Sequence, residues 1–368
     1  MIWGVVPQEP QSIEEAQELL RAAYRDKQRL AFVGGGTRLG IGAPPKSVQL
    51  VIGTSKLSRI LEYAPSDQVV VAESGVKLSQ LQAELAKNGQ RLALDPALPE
   101  KQTLGGIIAS NAFGPLRARY GAVRDLIIGV SIVRADGVRA KGGGKVVKTV
   151  AGFDMPKLIC GSLGTLGFIA TAIFRVHPLP EATQTLVSHG LSAAEVNAAA
   201  AAMRAQQLEP SALLASRTAP GRFDLAVRFE GFARGLAQQV KKASAIGRLS
   251  PAGNEVWDAH QQLLAEGPVR VKVAALPTAL AKVDAALPQG KLDFYPSLGL
   301  GFCAGDLTAQ LIASARAALA FGSVVVEEAP SPLDSFGTAP AALDLHRAVK
   351  NRFDPQGLLA PGRFIGGI

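Results

Sequence analysis

Hydrophobic and polar positions change period several times along the chain, and each change marks an element. Ile13, Ala16, Leu19, Leu20 and Ala23 recur at helical spacing behind Ser12 and Glu15, a capping-box pair, and predict an amphipathic helix. The apolar run Leu30–Val33 predicts a short buried strand that meets Gly34-Gly35-Gly36-Thr37. Leu78, Leu81 and Leu85 predict a helix over about 76–88 that stops at Gly89, a residue suited to a left-handed C-terminus. Leu126–Arg134, with a turn at Ala135-Asp136-Gly137, and Phe168–Val176 predict strands.

Past Pro178-Leu179-Pro180 the texture changes. Strand Thr183–Ser188, helix Ser192–Gln207, strands near Ser211–Ser216 and Phe223–Phe229, and helix Phe232–Ile246 follow one another. A similar order recurs: strand Val269–Ala275, helix Thr278–Leu287, strands Lys291–Tyr295 and Leu298–Cys303, helix Leu307–Ala320, strand Ser323–Glu327. Two such rounds predict a ferredoxin-like α+β layer with helices over one face of an antiparallel sheet. The Pro-rich joint divides the chain into residues 1–180, 181–345 and a tail, 346–368. The overall class is α+β.

Composition narrows the picture. With 368 residues, 48% hydrophobic and 19% charged, the chain is long enough for two folded domains. Two cysteines, Cys160 and Cys303, make no disulfide framework, which suits a reducing compartment. The longest uncharged stretch, Leu158–Phe174, is shorter than the ~20 residues of a membrane span and is broken by glycines. No Lys or Arg precedes Arg21, which argues against a secretory leader, so the expected location is cytoplasmic.

Charge is uneven. Residues 1–180 carry 22 Lys and Arg against 14 Asp and Glu, while the remainder carries 17 against 16. A basic first half suits a polyanionic ligand or is simply a solvated face. Aromatic residues make up only 5% and do not interleave with the basic ones, so nucleic acid is not an expected partner. His177, His189, His260 and His346 make no metal-ligand spacing with one another or with cysteine, and no metal is expected.

Several glycine motifs are decoys. Gly34–Leu39 lacks the third glycine of a dinucleotide fingerprint. In the P-loop pattern ending at Lys145, Arg139 stands at the first glycine and Val146 follows the lysine. Gly299-Leu300-Gly301-Phe302-Cys303-Ala304 fits G-x-G-x-x-A, but Pro296 interrupts the leading strand and too little chain follows to complete a Rossmann sheet. Three segments remain: Val33–Gly40, Thr103–Asn111 continuing to Gly121, and Gly161–Gly167 leading into Phe168-Ile169-Ala170. Glycine there allows close approach to a ligand, and its N–H groups suit phosphate oxygens.

These segments in this order, with Arg124-Asp125, Val150–Asp154 and a tail holding Lys350–Gly357 and Pro361-Gly362-Arg363, resemble the vanillyl-alcohol-oxidase/PCMH family of FAD-binding domains. The Lys148–Leu158 run and the unadorned second domain are most similar to FAD-binding subunits of bacterial glycolate oxidases. The resemblance implies a PCMH-type FAD-binding domain of two α+β subdomains, then an α+β cap. It places Gly34, Gly35, Gly36 and Thr37 on the FAD pyrophosphate, and Thr103, Leu104, Gly105, Gly106, Ser110 and Asn111 along the pyrophosphate and flavin. Gly161, Thr165 and Gly167 match the third loop, and Ile169 the backbone position near adenine.

No histidine precedes His177, so non-covalent FAD is expected. The implied activity is oxidation of a small 2-hydroxy acid such as glycolate. Electrons would pass to an iron–sulfur subunit, since two cysteines cannot hold a cluster, beside a catalytic FAD sister subunit. Membrane association would be peripheral at most, through those partners. A non-catalytic flavin-binding subunit and a stand-alone FAD oxidoreductase are the alternatives. The sister's histidine motif is absent at Tyr295–Cys303, and catalytic residues stay unassigned. Ala360 stands before Pro361 where the family more often has Asn, and Arg363 is either a surface cation or a flavin or partner contact.

Overall fold

A computed structural model of the chain describes residues 1–145, 153–246, 248–319 and 321–368. The sequence readings at Val146 and at Lys148–Ala151 therefore lie outside the described residues. The chain forms two compact units, one of residues 1–113, 122–179 and 338–368, the other of residues 114–121 and 180–337. Residues 114–121, read from the sequence with the N-terminal region, pack in the second unit.

The first unit holds two apolar cores. In one, helix Ile13–Arg25 packs Ala16, Leu20 and Ala23 against the parallel strands Leu30–Val33 and Leu50–Gly53. Only half of the capping box forms there: Ser12 Oγ accepts from Glu15 N at 3.1 Å, but the Glu15 carboxylate accepts from Gln11 N. The other core lies under a five-stranded antiparallel sheet, in the order Ile60–Ala64, Val69–Glu73, Phe168–Arg175, Ile127–Val133, Arg139–Gly143. Helix Leu78–Ala86 buries Leu78, Leu81 and Leu85 in that core, and helix Leu104–Ser110 buries Leu104, Ile107 and Ile108.

Strand Phe168–Arg175 belongs to both cores. Phe168 and Ala170 point into the first; Ile169, Ala172 and Phe174 point into the second. A strand buried on both faces reads as continuous apolar sequence, which explains the long uncharged stretch. Phe32 and Phe168 meet edge to face at 5.3 Å, at the seam between the cores. The tail joins this unit: helix Leu343–Phe353 packs Val349 and Phe353 on the second core, and Leu359 bridges Leu30 in parallel beside the first.

The second unit is an eight-stranded sheet in the order Ser250–Ala252, Ala182–Leu191, Arg222–Gly231, Ala212–Ala219, Lys291–Tyr295, Leu300–Gly305, Val269–Ala274, Ser323–Glu328. In each half the strands lie fourth, first, third, second in chain order, and the halves meet second strand to second strand through Ala215↔Phe294. This is a β-α-β-β-α-β motif repeated: the element order predicted each round as far as its second helix, and Ser250–Ala252 adds to the first round a fourth strand that the sequence reading lacked. Leu225, Val227, Leu292, Phe294, Val271 and Val273 fill the core beneath the helices.

The opposite face differs from expectation, because it is not bare. Asp293 and Tyr295 alternate with the core residues Leu292 and Phe294, so they project from this second face. Helix Glu255–Ala265, absent from the sequence reading, covers them there and supplies hydrogen-bond partners through His260. The Gly299–Ala304 decoy is a hairpin: Gly299 turns with φ +67° into strand Leu300–Gly305, and no helix follows at that point.

Candidate functional site

The three glycine segments converge within the first unit, and two of the glycines show why. Gly35 sits so close to the next segment that a Cβ there would lie 1.7 Å from the Lys101 carbonyl oxygen; at Gly34 it would lie 2.2 Å from Thr103 Oγ1. Only residues without side chains let these backbones touch. Gly36 takes φ +72°, and a Cβ there would meet only Leu39 Cδ1, at 3.9 Å, so it is the backbone angle that favours glycine.

The second segment is anchored from both ends. Thr103 Oγ1 accepts from Gly106 N, Ser110 Oγ donates to Gly106 O at 2.7 Å, and Gly105 N donates to Ser74 O at 2.7 Å. The third segment closes the arrangement: Gly161 N and Leu163 N donate to the carbonyls of Ile108 and Ala109, each at 2.9 Å. Those carbonyls, near the end of helix Leu104–Ser110, gain partners from a loop more than fifty residues away.

Together the segments line one open cleft. Ten of the residues read from the sequence line it: Gly34, Gly35, Gly36, Thr37, Thr103, Gly105, Gly106, Ser110, Gly167 and Ile169. Four do not. Leu104 is wholly buried in the second core, so it is a packing residue. Asn111 ends the short helix with φ +50°, leaving its buried Oδ1 without a partner. Gly161 and Thr165 face a second cavity of about 660 Å³, shared with Cys160, His346 and Lys350 on the other side of the third loop. These two shape the loop and leave the cleft to Leu163, Gly164 and Gly167.

Residues missed at the sequence level are Phe32, Arg38, Leu39, Thr54, Gln102 and Leu163, all of which line the cleft. Arg363 lines it too. It is 5% exposed, which ends its reading as a surface cation. Its Nη2 donates to the carbonyls of Leu39 at 3.1 Å and Arg38 at 3.4 Å, while Nη1 has no partner. Burial pushes its pKa down to about 10. Thr54 Oγ1 and Gln102 Oε1 are likewise buried without partners. Buried polar atoms in folded proteins are nearly always paired, so three orphans in one cleft are atoms that await a ligand. Hydroxyls, bare glycine backbone N–H groups and guanidinium groups are donors suited to a dinucleotide pyrophosphate. Gln102 Oε1, whose amide nitrogen already donates to Ala97 O, is left as an acceptor for a hydroxyl or amino group of the same ligand, so the residues present fit FAD.

Elsewhere the titratable groups are engaged internally. In the second unit, His260 Nδ1 lies 2.6 Å from Asp293 Oδ2 and Nε2 lies 2.5 Å from the Tyr295 hydroxyl, with all three residues buried. Burial pushes the Cys160 thiol up to about 12 and the Cys303 thiol up to about 11, which keeps both protonated at neutral pH. Among the described residues, no group of three or more His, Cys, Asp or Glu could hold a metal ion. No helix among them is long and apolar enough to cross a membrane.

Comparison with known proteins bears on the first two glycine segments. Residues 8–141 match the family described as FAD binding domain. The chain is 33% identical over 170 residues to glycolate oxidase subunit GlcE of Escherichia coli (strain K12), covering 46% of this chain and 48% of that protein. It is 31% identical over 179 residues to glycolate oxidase subunit GlcD of Bacillus subtilis (strain 168), covering 49% and 38%. It is 34% identical over 169 residues to D-lactate dehydrogenase of Archaeoglobus fulgidus, covering 46% and 38%. The chain thus spans less than half the length of these relatives. Among solved structures, alkyldihydroxyacetonephosphate synthase superposes with a TM-score of 0.73 at 17% identity, over 96% of this chain and 75% of its own; the two share a fold. The N-terminal region is an FAD-binding domain, in agreement with the resemblance carried by its glycine segments, and FAD is its cofactor.

Proposed function

We propose that the chain is an FAD-carrying subunit of a complex that oxidises glycolate or a similar 2-hydroxy acid and passes the electrons to an iron–sulfur partner subunit. The observation that carries this reading is the cleft with its three orphaned polar atoms, Thr54 Oγ1, Gln102 Oε1 and Arg363 Nη1. The names of the relatives, two glycolate oxidase subunits and a D-lactate dehydrogenase, favour a 2-hydroxy acid as substrate. In this reading residues 1–180 with the tail 346–368 hold the cofactor, and residues 181–345 cover the substrate side.

When bound, FAD would supply a redox centre that takes up the electrons released by substrate oxidation at the catalytic sister subunit. The residues of the chain hold and orient it. Gly34, Gly35, Gly36 and Thr37 offer backbone N–H groups and a hydroxyl to the pyrophosphate, opposite Thr103, Gly105, Gly106 and Ser110. Gly167 and Ile169 line the adenine end, and Phe32 and Leu163 exclude water. Leu104, Asn111, Gly161 and Thr165 fix the second and third segments in place. The cofactor is held without a covalent bond.

Removing the hydroxyl proton needs a base, which contributes about 10²–10⁴-fold. The cleft is lined by hydroxyls, amides and guanidinium groups, so we assign that step to the catalytic sister subunit. The test is anaerobic mixing of the FAD-loaded chain with excess glycolate, followed at the flavin absorbance. The expected result is a flavin that stays oxidised alone and is bleached when the partner subunits are present. Bleaching within seconds without partners would overturn the division of labour proposed here.

A further inference from the structure

The C-terminal tail is held more firmly than a chain end needs to be. Leu30 N donates to Leu358 O at 2.9 Å and Ala360 N donates to Leu30 O at 2.7 Å, so the tail makes a one-residue parallel bridge to the start of strand Leu30–Val33. Lys46 N donates to Pro361 O and Ala43 N to Arg363 O, which grips it from the other side. Beneath it, Lys350 Nζ donates to Thr165 O, to Leu359 O and to the Asp354 carboxylate, at 2.7–2.8 Å. Asp354 in turn accepts from Leu358 N and Leu359 N. A buried ion pair of this kind stabilises little by itself, but losing either partner is costly, so the lock specifies one path for the tail.

That path delivers one side chain to the cleft. Arg363 enters beside the Gly34–Thr37 loop, with its guanidinium 5.1 Å from the Trp3 ring. Among the described residues lining the cleft there are two arginines, Arg38 and Arg363, and no carboxylate. A buried cation with a free N–H edge and no acidic neighbour is an unfavourable arrangement until an anion arrives.

Resting on the reading that FAD occupies this cleft, we infer that Arg363 is the counterion of its pyrophosphate, placed there by the Lys350–Asp354 lock. The tail is then part of the cofactor site, and Lys350 and Asp354 are positioning residues. Arg363 is also a specificity device: it favours ligands with a pyrophosphate over flavins without one.

The test compares Arg363→Gln with the unaltered chain by FAD titration, riboflavin titration and thermal melting. The substitution should weaken FAD binding about 10- to 100-fold, the range for a hydrogen bond to a charged group. Riboflavin, which has no phosphate, should bind both proteins equally. Without ligand, Arg363→Gln should melt at the same temperature as the unaltered chain or higher, because an unpaired buried charge has been removed. On the unaltered chain, inorganic pyrophosphate should raise the melting temperature and compete with FAD, a result that stands even if the variant folds poorly. FAD affinity unchanged by Arg363→Gln, or a ligand-free variant that melts well below the unaltered chain, overturns the inference. An unaltered chain that pyrophosphate stabilises but that takes up no FAD would overturn the cofactor reading and leave the anion site standing.

Discussion

Each unit buries a set of polar side chains, and the two sets are satisfied in opposite ways. In the second unit, His260 donates through Nδ1 to the Asp293 carboxylate, which can only accept, and its Nε2 is hydrogen-bonded to the Tyr295 hydroxyl. Trp257 on the same helix donates to Thr185 Oγ1 at 2.9 Å and lies 4.1 Å from the Arg228 guanidinium. In the first unit, Thr54 Oγ1, Gln102 Oε1 and Arg363 Nη1 are also buried but lack partners among the described residues. Burying a polar group without a hydrogen bond costs about 1–3 kcal/mol, so three such groups along one cleft mark a place that a ligand can complete. The histidine cluster, which looks more like chemistry at first sight, holds a helix to a sheet; the quieter cleft is the site we propose.

The largest test of this contrast is Gly35→Val. The side chain would meet the Lys101 carbonyl at 1.7 Å and force the first two glycine segments apart. FAD binding should fall below detection, while Gly144→Val, at a glycine with nothing within 4 Å, should bind FAD as the unaltered chain does. Equal loss in both, measured by flavin content after reconstitution, would show that the cleft is not where FAD sits.

His260→Ala should act in the other unit and in the other way. It leaves the Asp293 carboxylate and the Tyr295 hydroxyl buried without their partner and should cost about 3 kcal/mol in denaturant unfolding. FAD affinity should stay within twofold. A tenfold loss of affinity in a folded variant would give the histidine cluster a part in cofactor binding.

The finest test removes one hydroxyl from each set. Tyr295→Phe strips His260 Nε2 of a partner and should destabilise by about 1–2 kcal/mol. Thr54→Val removes an atom that has no partner, so the ligand-free protein should be unchanged or up to about 1 kcal/mol more stable. Its FAD affinity should drop about threefold to tenfold. The same sign of stability change in both variants, read from melting of the ligand-free proteins, would erase the distinction between the two sets.

These contrasts also mark how far the sequence is legible. The glycine segments are, because glycine clusters after a strand have few other uses, and ten of fourteen site residues read from them line the cleft. Most of the repeated strand and helix order of the second unit is legible from hydrophobic period, the short exposed strand Ser250–Ala252 and the helix after it being the exceptions. What escapes is pairing at long range. Thr54 and Gln102 carry no local mark, and nothing near Arg363 in sequence tells that it is buried against residues 38–39. Gly35 is required for a different reason from the one expected: it lets two protein segments touch, whatever ligand follows. Helix Glu255–Ala265 was legible in principle, since Trp257, His260 and Leu264 fall on one face, but intervening Gln and Asp residues hide an apolar stripe so narrow.

The central claim is that FAD lies in the cleft of the first unit. Hydrogen exchange of the chain with and without saturating FAD tests it most directly. The account predicts slowed exchange in peptides spanning residues 33–40, 102–111, 161–169 and 358–364, and no change in 255–265. Protection confined to 255–265, or none in the three glycine segments while flavin is bound, would contradict it.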